Sequence, residues 1–197
     1  MDYSLPTVVS GLGRCGTSMM MQMLHCGGME VTGDAELPFL EDDRVNKLPL
    51  NDGWLRDLTS RNVIKILNPD IRSLPGWFRC RSIWMKRDVN EQTKSYIKYN
   101  VAMAGEQNID PDEVANNIRR RTKLCLKELG RISDKGPLLV GFEVALERPF
   151  LAAVGVQAFL GEDLNHTKMA EAVIKRTPKC LVDVPEIKFA ARRKLKI

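Results

Sequence analysis

The sequence predicts an α/β domain of three layers, a mostly parallel central sheet flanked by helices, and three observations predict it. Residues 7–10 (TVVS) are short, β-branched and closed by Gly11, the signature of a buried strand. Residues 17–26 (TSMMMQMLHC) carry no helix breaker and stop at Gly27-Gly28, a helix with a C-terminal signal. Further strand-type runs at 62–67, 81–86 and 137–141 alternate with helical stretches, the order that gives parallel pairing.

The remaining elements follow in chain order. Residues 34–50 are acidic, then mixed, and contain Pro38 and Pro49. A loop and then a short helix near 41–48 are expected there, with another short helix over 51–59. The strand NVIKIL at 62–67 is stopped by Asn68-Pro69, a turn pair. After the strand RSIWMK at 81–86, a helix runs from Asp88 to about Met103 with Asp88 as its N-cap. Asp110-Pro111 opens a long helix to about Leu129 that Gly130 caps. The strand PLLVG at 137–141 precedes helices over 150–160, ending at Gly161, and over 166–175.

A chain of 197 residues suits a single domain spanning 1–197. Apolar content of 44% and charged content of 28% are those of a globular protein. The net charge of +5 fits an anionic ligand, but much of the excess sits in Lys188, Arg192, Arg193, Lys194 and Lys196, a solvated basic end. Elsewhere the charges are mixed in sign, so no nucleic-acid partner is expected. The five cysteines are odd in number and form no CxxC pair, and there are two histidines. That pattern predicts reduced thiols and no metal site. No leader pattern and no run of about 18 apolar residues occurs, so no membrane association and a cytoplasmic location are expected.

The informative stretch is Ser10-Gly11-Leu12-Gly13-Arg14-Cys15-Gly16-Thr17-Ser18, between a strand and a helix. Glycines let a backbone turn tightly and aim N–H groups at an anion. The helix N-terminus adds its dipole and unpaired amides. Arg14 brings a fixed positive charge, and Thr17 and Ser18 bring hydroxyl donors. Gly11-x-Gly13-x-x-Gly16 also matches the dinucleotide fingerprint. That motif wants apolar residues where Arg14, Thr17 and Ser18 stand, and an acidic residue about 20 positions on, after a second strand; Val31-Thr32 is a poor strand. Gly11-x-x-x-x-Gly16-Thr17-Ser18 matches the ATP phosphate loop with Thr17 in place of the lysine that neutralises the β/γ phosphates. A glycine turn binding nothing is the plain alternative.

The stretch 8–20 closely resembles the 5′-phosphosulfate loop of PAPS-dependent sulfotransferases, whose bacterial-type members read SGLPRSGTS. Gly13 stands for the proline and Cys15 for the serine. The resemblance implies a P-loop-like fold with the donor PAPS (3′-phosphoadenosine-5′-phosphosulfate), and the product PAP, held at Gly13, Arg14, Cys15, Gly16, Thr17 and Ser18. It places a 3′-phosphate anchor at Arg87, which ends the strand at 81–86, and at Ser95 eight residues on. The stretch 62–100 is similar to the family throughout, and Lys65 falls where many members have a catalytic lysine. Two residues later, where cytosolic members carry a catalytic histidine, this chain has Leu67. Residues 138–161 resemble the later strand, an Asp/Glu-Pro turn at Glu147–Pro149 and a helix ending in FLG.

The implied activity is transfer of a sulfuryl group to a hydroxyl or amine. Like phosphoryl transfer, that reaction depends on positioning and charge stabilisation; the scheme needs no metal. Arg14 and Lys65 would stabilise charge on the leaving phosphate. The base would be a carboxylate after the first helix: Asp34, Glu36 or Glu41, with Glu36 and Asp34 ranked first. The acceptor is a small molecule, a carbohydrate or a peptide. A phosphate-loop kinase or NTPase, and an inactive nucleotide-binding relative, are the competing readings. The methionines at 19, 20, 21 and 23 read as core packing. Cys15, at a helix start beside Arg14, is either a reactive thiol or, the favoured reading, an inert one. Trp54 and Trp77 are candidates for an acceptor pocket, whereas Trp84 reads as core.

Overall fold

The computed structural model describes residues 5–33, 40–47, 52–72, 74–106 and 108–173. Strand β1 (Thr7–Gly11) leads through the glycine-rich turn into helix α1 (Thr17–Cys26). A two-residue strand β2 (Glu30–Val31) follows, then one-turn helices at Asp43–Lys47 and Gly53–Asp57. Strand β3 (Asn62–Leu67) ends in a one-turn helix at Pro69–Ile71, and β4 (Arg81–Lys86) leads into helix α2 (Val89–Ala104). Helix α3 (Pro111–Ile132), strand β5 (Leu138–Gly141) and helices α4 (Phe142–Glu147), α5 (Pro149–Leu160) and α6 (His166–Glu171) complete the described chain.

The sheet runs β2-β3-β1-β4-β5 and every pair is parallel. Such a sheet buries both faces, and the two cores divide accordingly. On one side Val9, Val63, Ile83 and Met85 meet Met20, Met21, Met23 and Leu24 of α1 and Val156, Leu160 and Met169 of α5 and α6. On the other, Val8, Ile64, Ile66 and Trp84 meet Val45, Leu55, Phe78 and Ile118, Cys125, Leu129 and Ile132 of α3. The expected three layers are present, the methionines of α1 pack in the core, and so does Trp84.

The helix starts follow sequence chemistry. The Asp88 carboxylate accepts from the Asn90 and Glu91 amides, both at 3.0 Å, and Asp110 accepts from the Asp112 amide at 2.9 Å. Each satisfies amides that the first helical turn leaves unpaired. Three expectations need correction. Gly130 does not cap α3; the helix runs on to Ile132, which is fully buried, and ends at Ser133. Burying Ile132 outweighs the roughly 1 kcal/mol that an interior glycine costs. The poor strand near Val31 is a real edge strand, held by pairing to Asn62 and Val63. Residues 142–147, to which the sequence assigns no element, form a helix with Arg148 as its C-cap, inside the expected turn at Glu147–Pro149. The last helix stops at Glu171.

Beta1 is the topological pivot: its neighbours β3 and β4 lie on opposite sides and the chain leaves it in both directions. In open parallel sheets the crevice at that point, beyond the carboxyl ends of the strands, receives the ligand. Gly11, Leu67 and Lys86 are the terminal residues of those three strands.

Candidate functional site

The turn from Leu12 to Gly16 leaves β1 under tight constraint. A Cβ at Gly11 would run into Cys15 Sγ and would lie 3.0 Å from the Met85 carbonyl, so only glycine lets the turn close on β4. Arg14 holds a left-handed φ of 69° and Gly16 one of 99°. For Arg14 that conformation costs on the order of 1 kcal/mol, and such strain collects at functional sites. Gly16 is the N-cap of α1 and supplies no side-chain cap, and no acidic residue stands in the first turn. The positive end of α1 is thus presented with its dipole uncompensated by any carboxylate in the first turn.

Three cationic side chains converge on this turn. Arg14 donates from Nε to Ser95 Oγ at 3.3 Å and stacks 5.0 Å from the Tyr99 ring centre. From the end of β4, Arg87 donates from a terminal nitrogen to the Arg14 carbonyl at 3.2 Å, with its guanidinium 4.6 Å from the Phe142 ring centre. Its Nε is buried and has no hydrogen-bond partner among the described residues. From β3, Lys65 donates to Ser18 Oγ and to Glu41 Oε1, both at 3.0 Å. The Lys65 side chain is 2% exposed and that of Glu41 48%. A buried ammonium needs such partners, and the pair sets a cation against the first turn of α1 with a solvent-facing carboxylate beside it.

The sequence-based candidates therefore come together at one sheet edge: Gly13, Arg14, Cys15, Gly16, Thr17 and Ser18 on the turn, Lys65 on β3, Arg87 and Ser95 on β4 and α2. Cys15 is 2% exposed, and burial pushes its thiol up to about 12 despite opposing backbone hydrogen bonds and the Lys65 and Arg87 charges. Both favour the inert reading of that thiol. Asp34 and Glu36, ranked first as bases, lie outside the described residues. Of the three carboxylates named, Glu41 is the described one.

Two participants escaped the sequence reading. Gln92, buried in the first turns of α2, donates from Nε2 to the Gly13 carbonyl at 2.8 Å. Phe142 lies under Arg87 and against the Gly16 α-carbon, where a Cβ would strike its ring. Its neighbour Glu143 accepts from the Asp88 amide at 3.1 Å. Both contacts join residues distant in sequence. Gln92 alone left a trace, as a polar residue on the helix face shared with Asp88 and Ser95.

Trp54 and Trp77 are both engaged by arginines, Arg44 over Trp54 at 4.2 Å and Arg56 over Trp77 at 4.1 Å. Among the described residues no group of three His, Cys, Asp or Glu could hold a metal ion. No described helix is long and apolar enough to cross a membrane.

No family model matches the sequence, and no curated protein matches it. Solved structures do. A sulfotransferase domain from the curacin biosynthetic pathway superposes with a TM-score of 0.58 at 10% identity, over 95% of this chain and 83% of that one. Mouse sulfotransferase SULT7A1, solved in complex with PAP, superposes with a TM-score of 0.53 at 15% identity, over 85% of this chain. This chain spans 63% of the mouse protein's length. With the all-parallel sheet, the glycine-rich turn after β1 and helices on both faces, the described chain has the sulfotransferase fold.

Proposed function

We propose that this chain is a PAPS-dependent sulfotransferase that moves a sulfuryl group in line to a hydroxyl or amine of a small-molecule, carbohydrate or peptide acceptor. One observation carries the reading: Arg14, Lys65 and Arg87 converge with an uncapped helix N-terminus on one sheet edge. Residues and donor fit each other. A ligand with a phosphosulfate at one end and a phosphate at the other needs two cationic ends, and the buried, unpartnered Nε of Arg87 is a donor in want of an acceptor. The SULT7A1 complex with PAP supports the same choice of donor.

Bound PAPS would supply the activated sulfuryl group; the chain's part is to bind, orient and balance charge. The amides of residues 13–18 and the Ser18 hydroxyl would hold the 5′-phosphosulfate, with the Lys65 ammonium, already on Ser18, meeting charge that develops on the leaving phosphate. Arg87, with Ser95, would hold the 3′-phosphate. The acceptor's proton would pass to one of the carboxylates after α1: Glu36 or Asp34, ranked first from the sequence, or Glu41, which is half exposed beside Lys65. The scheme uses no metal. The four described cysteines are all unpaired, which suits a single-domain protein in a reducing, cytoplasmic setting.

Thermal melting tests this directly. PAP at about a hundred times its Kd should stabilise the protein by about 2.7 kcal/mol without added metal, a rise of roughly 5–10 °C for a chain of this size. Arg87→Ala should remove the shift. Glu41→Gln should keep it and lose sulfuryl transfer about a hundredfold or more. A protein that ignores PAP but melts higher with ATP and Mg²⁺ would sink the reading.

A further inference from the structure

The Gly13–Arg14 peptide presents an open question of control. The PAPS-loop pattern that residues 10–18 resemble has proline at position 13, which fixes the backbone. This chain has glycine there, outside the left-handed region, with nothing within 4 Å of a would-be Cβ. Neither ring nor side-chain packing restrains that residue. What does reach it is Gln92, whose Nε2 donates to the Gly13 carbonyl at 2.8 Å. Gln92 is 4% exposed, so its carboxamide is held in place, and a buried hydrogen bond of this length is costly to break. A trans peptide sets its C=O and N–H on opposite sides. Pulling the Gly13 oxygen toward α2 therefore turns the Arg14 amide away from α2.

We propose that Gln92 is a positioning residue: by fixing the Gly13–Arg14 peptide it keeps the Arg14 amide among the donors that face the 5′-phosphosulfate. The proposal rests on the PAPS reading above. Arg87, which donates to the next carbonyl along at Arg14, continues the same clasp from the end of β4. The phosphate turn is thus oriented from outside, by α2 and its lead-in, where its own residue 13 leaves it loose.

The test compares two ligands by calorimetry. PAP carries the 5′-phosphate that the turn would hold; adenosine 3′-monophosphate does not. Gln92→Met keeps length and burial and deletes the donor. It should weaken PAP about five- to tenfold, one hydrogen bond's worth, and leave adenosine 3′-monophosphate within twofold. Adding Gly13→Ala, which narrows the backbone at a site with room for a Cβ, should restore about two- to fivefold of the loss. If Gln92→Met melts too low to assay, Gln92→Leu serves in its place. Unchanged PAP affinity, equal weakening of both ligands, or no recovery with Gly13→Ala would each overturn the proposal while the PAPS reading stood. A wild-type protein that binds neither ligand overturns both.

Discussion

Replacing Gly16 by alanine isolates how the phosphate turn is built. Two costs follow from the structure. The φ of 99° at Gly16 is a conformation that L side chains avoid, at about 1–2 kcal/mol. The new methyl would also strike the Phe142 ring, coming within 3.4 Å of three of its carbons. Overpacking of this kind costs about 1–3 kcal/mol, and the ring cannot simply turn aside because Arg87 lies over it. Together they predict a loss of roughly 2–5 kcal/mol, or about 5–20 °C in Tm. Urea unfolding followed by circular dichroism measures it. A double-mutant cycle separates the parts: in a Phe142→Ala background the steric share should vanish and the backbone share of about 1–2 kcal/mol should persist. Gly16→Ala within about 0.5 kcal/mol of wild type, or a cycle with no coupling, would refute this account of the turn.

Two further predictions concern the opposite face and the thiols. Asp70 takes a two-pronged contact from Arg121, at 2.8 and 2.6 Å, and the Cys125 thiol at 3.1 Å. Burial pushes its carboxyl up, but the Arg121 and Cys125 contacts outweigh that and hold it below the usual range. Its contribution is therefore complete above the unfolded value of about 3.9 and fades as pH falls through the lower folded value. Asp70→Asn should cost about 1–3 kcal/mol at neutral pH and progressively less as pH falls below about 4, read from urea midpoints; a pH-independent difference would contradict the pairing. In the second, Cys15, Cys80 and Cys125 are buried, and burial pushes each up to about 12, while Cys26 is exposed. Iodoacetamide at neutral pH should alkylate Cys26 in the native protein and the other three only after unfolding, by peptide mass spectrometry; early labelling of Cys15 would mean that the turn opens.

Local chemistry was legible in the sequence and long-range chemistry was not. Strands 62–67 and 81–86 were read to the residue because short strand-type runs end at a breaker or an N-cap. Alpha1 was equally plain, bounded by glycines. Beta2 was missed because two residues carry no period, and only Asn62 and Val63 across the sheet make it a strand. The end of α3 was missed because the burial of Ile132, not the glycine two residues before it, decides where the helix stops. The same divide runs through the site. A motif names Arg14, Lys65, Arg87 and Ser95, but nothing local says that Gln92 reaches Gly13, that Phe142 underlies Arg87, or that Lys65 meets Glu41.

The central place of β1 has a consequence for how the protein is made. Thr7 lies beside Val63 on one side and Arg81 on the other, so β1 acquires its neighbours only after a long stretch of later synthesis. Contacts so far apart in the chain slow folding, because the intervening loops must close first. The glycine turn is translated well before Arg87 and Gln92, which hold its carbonyls from the end of β4 and the start of α2. Nascent chains arrested short of residue 95 should carry this turn without a shape, and the anion-gripping geometry should appear as a late, abrupt event.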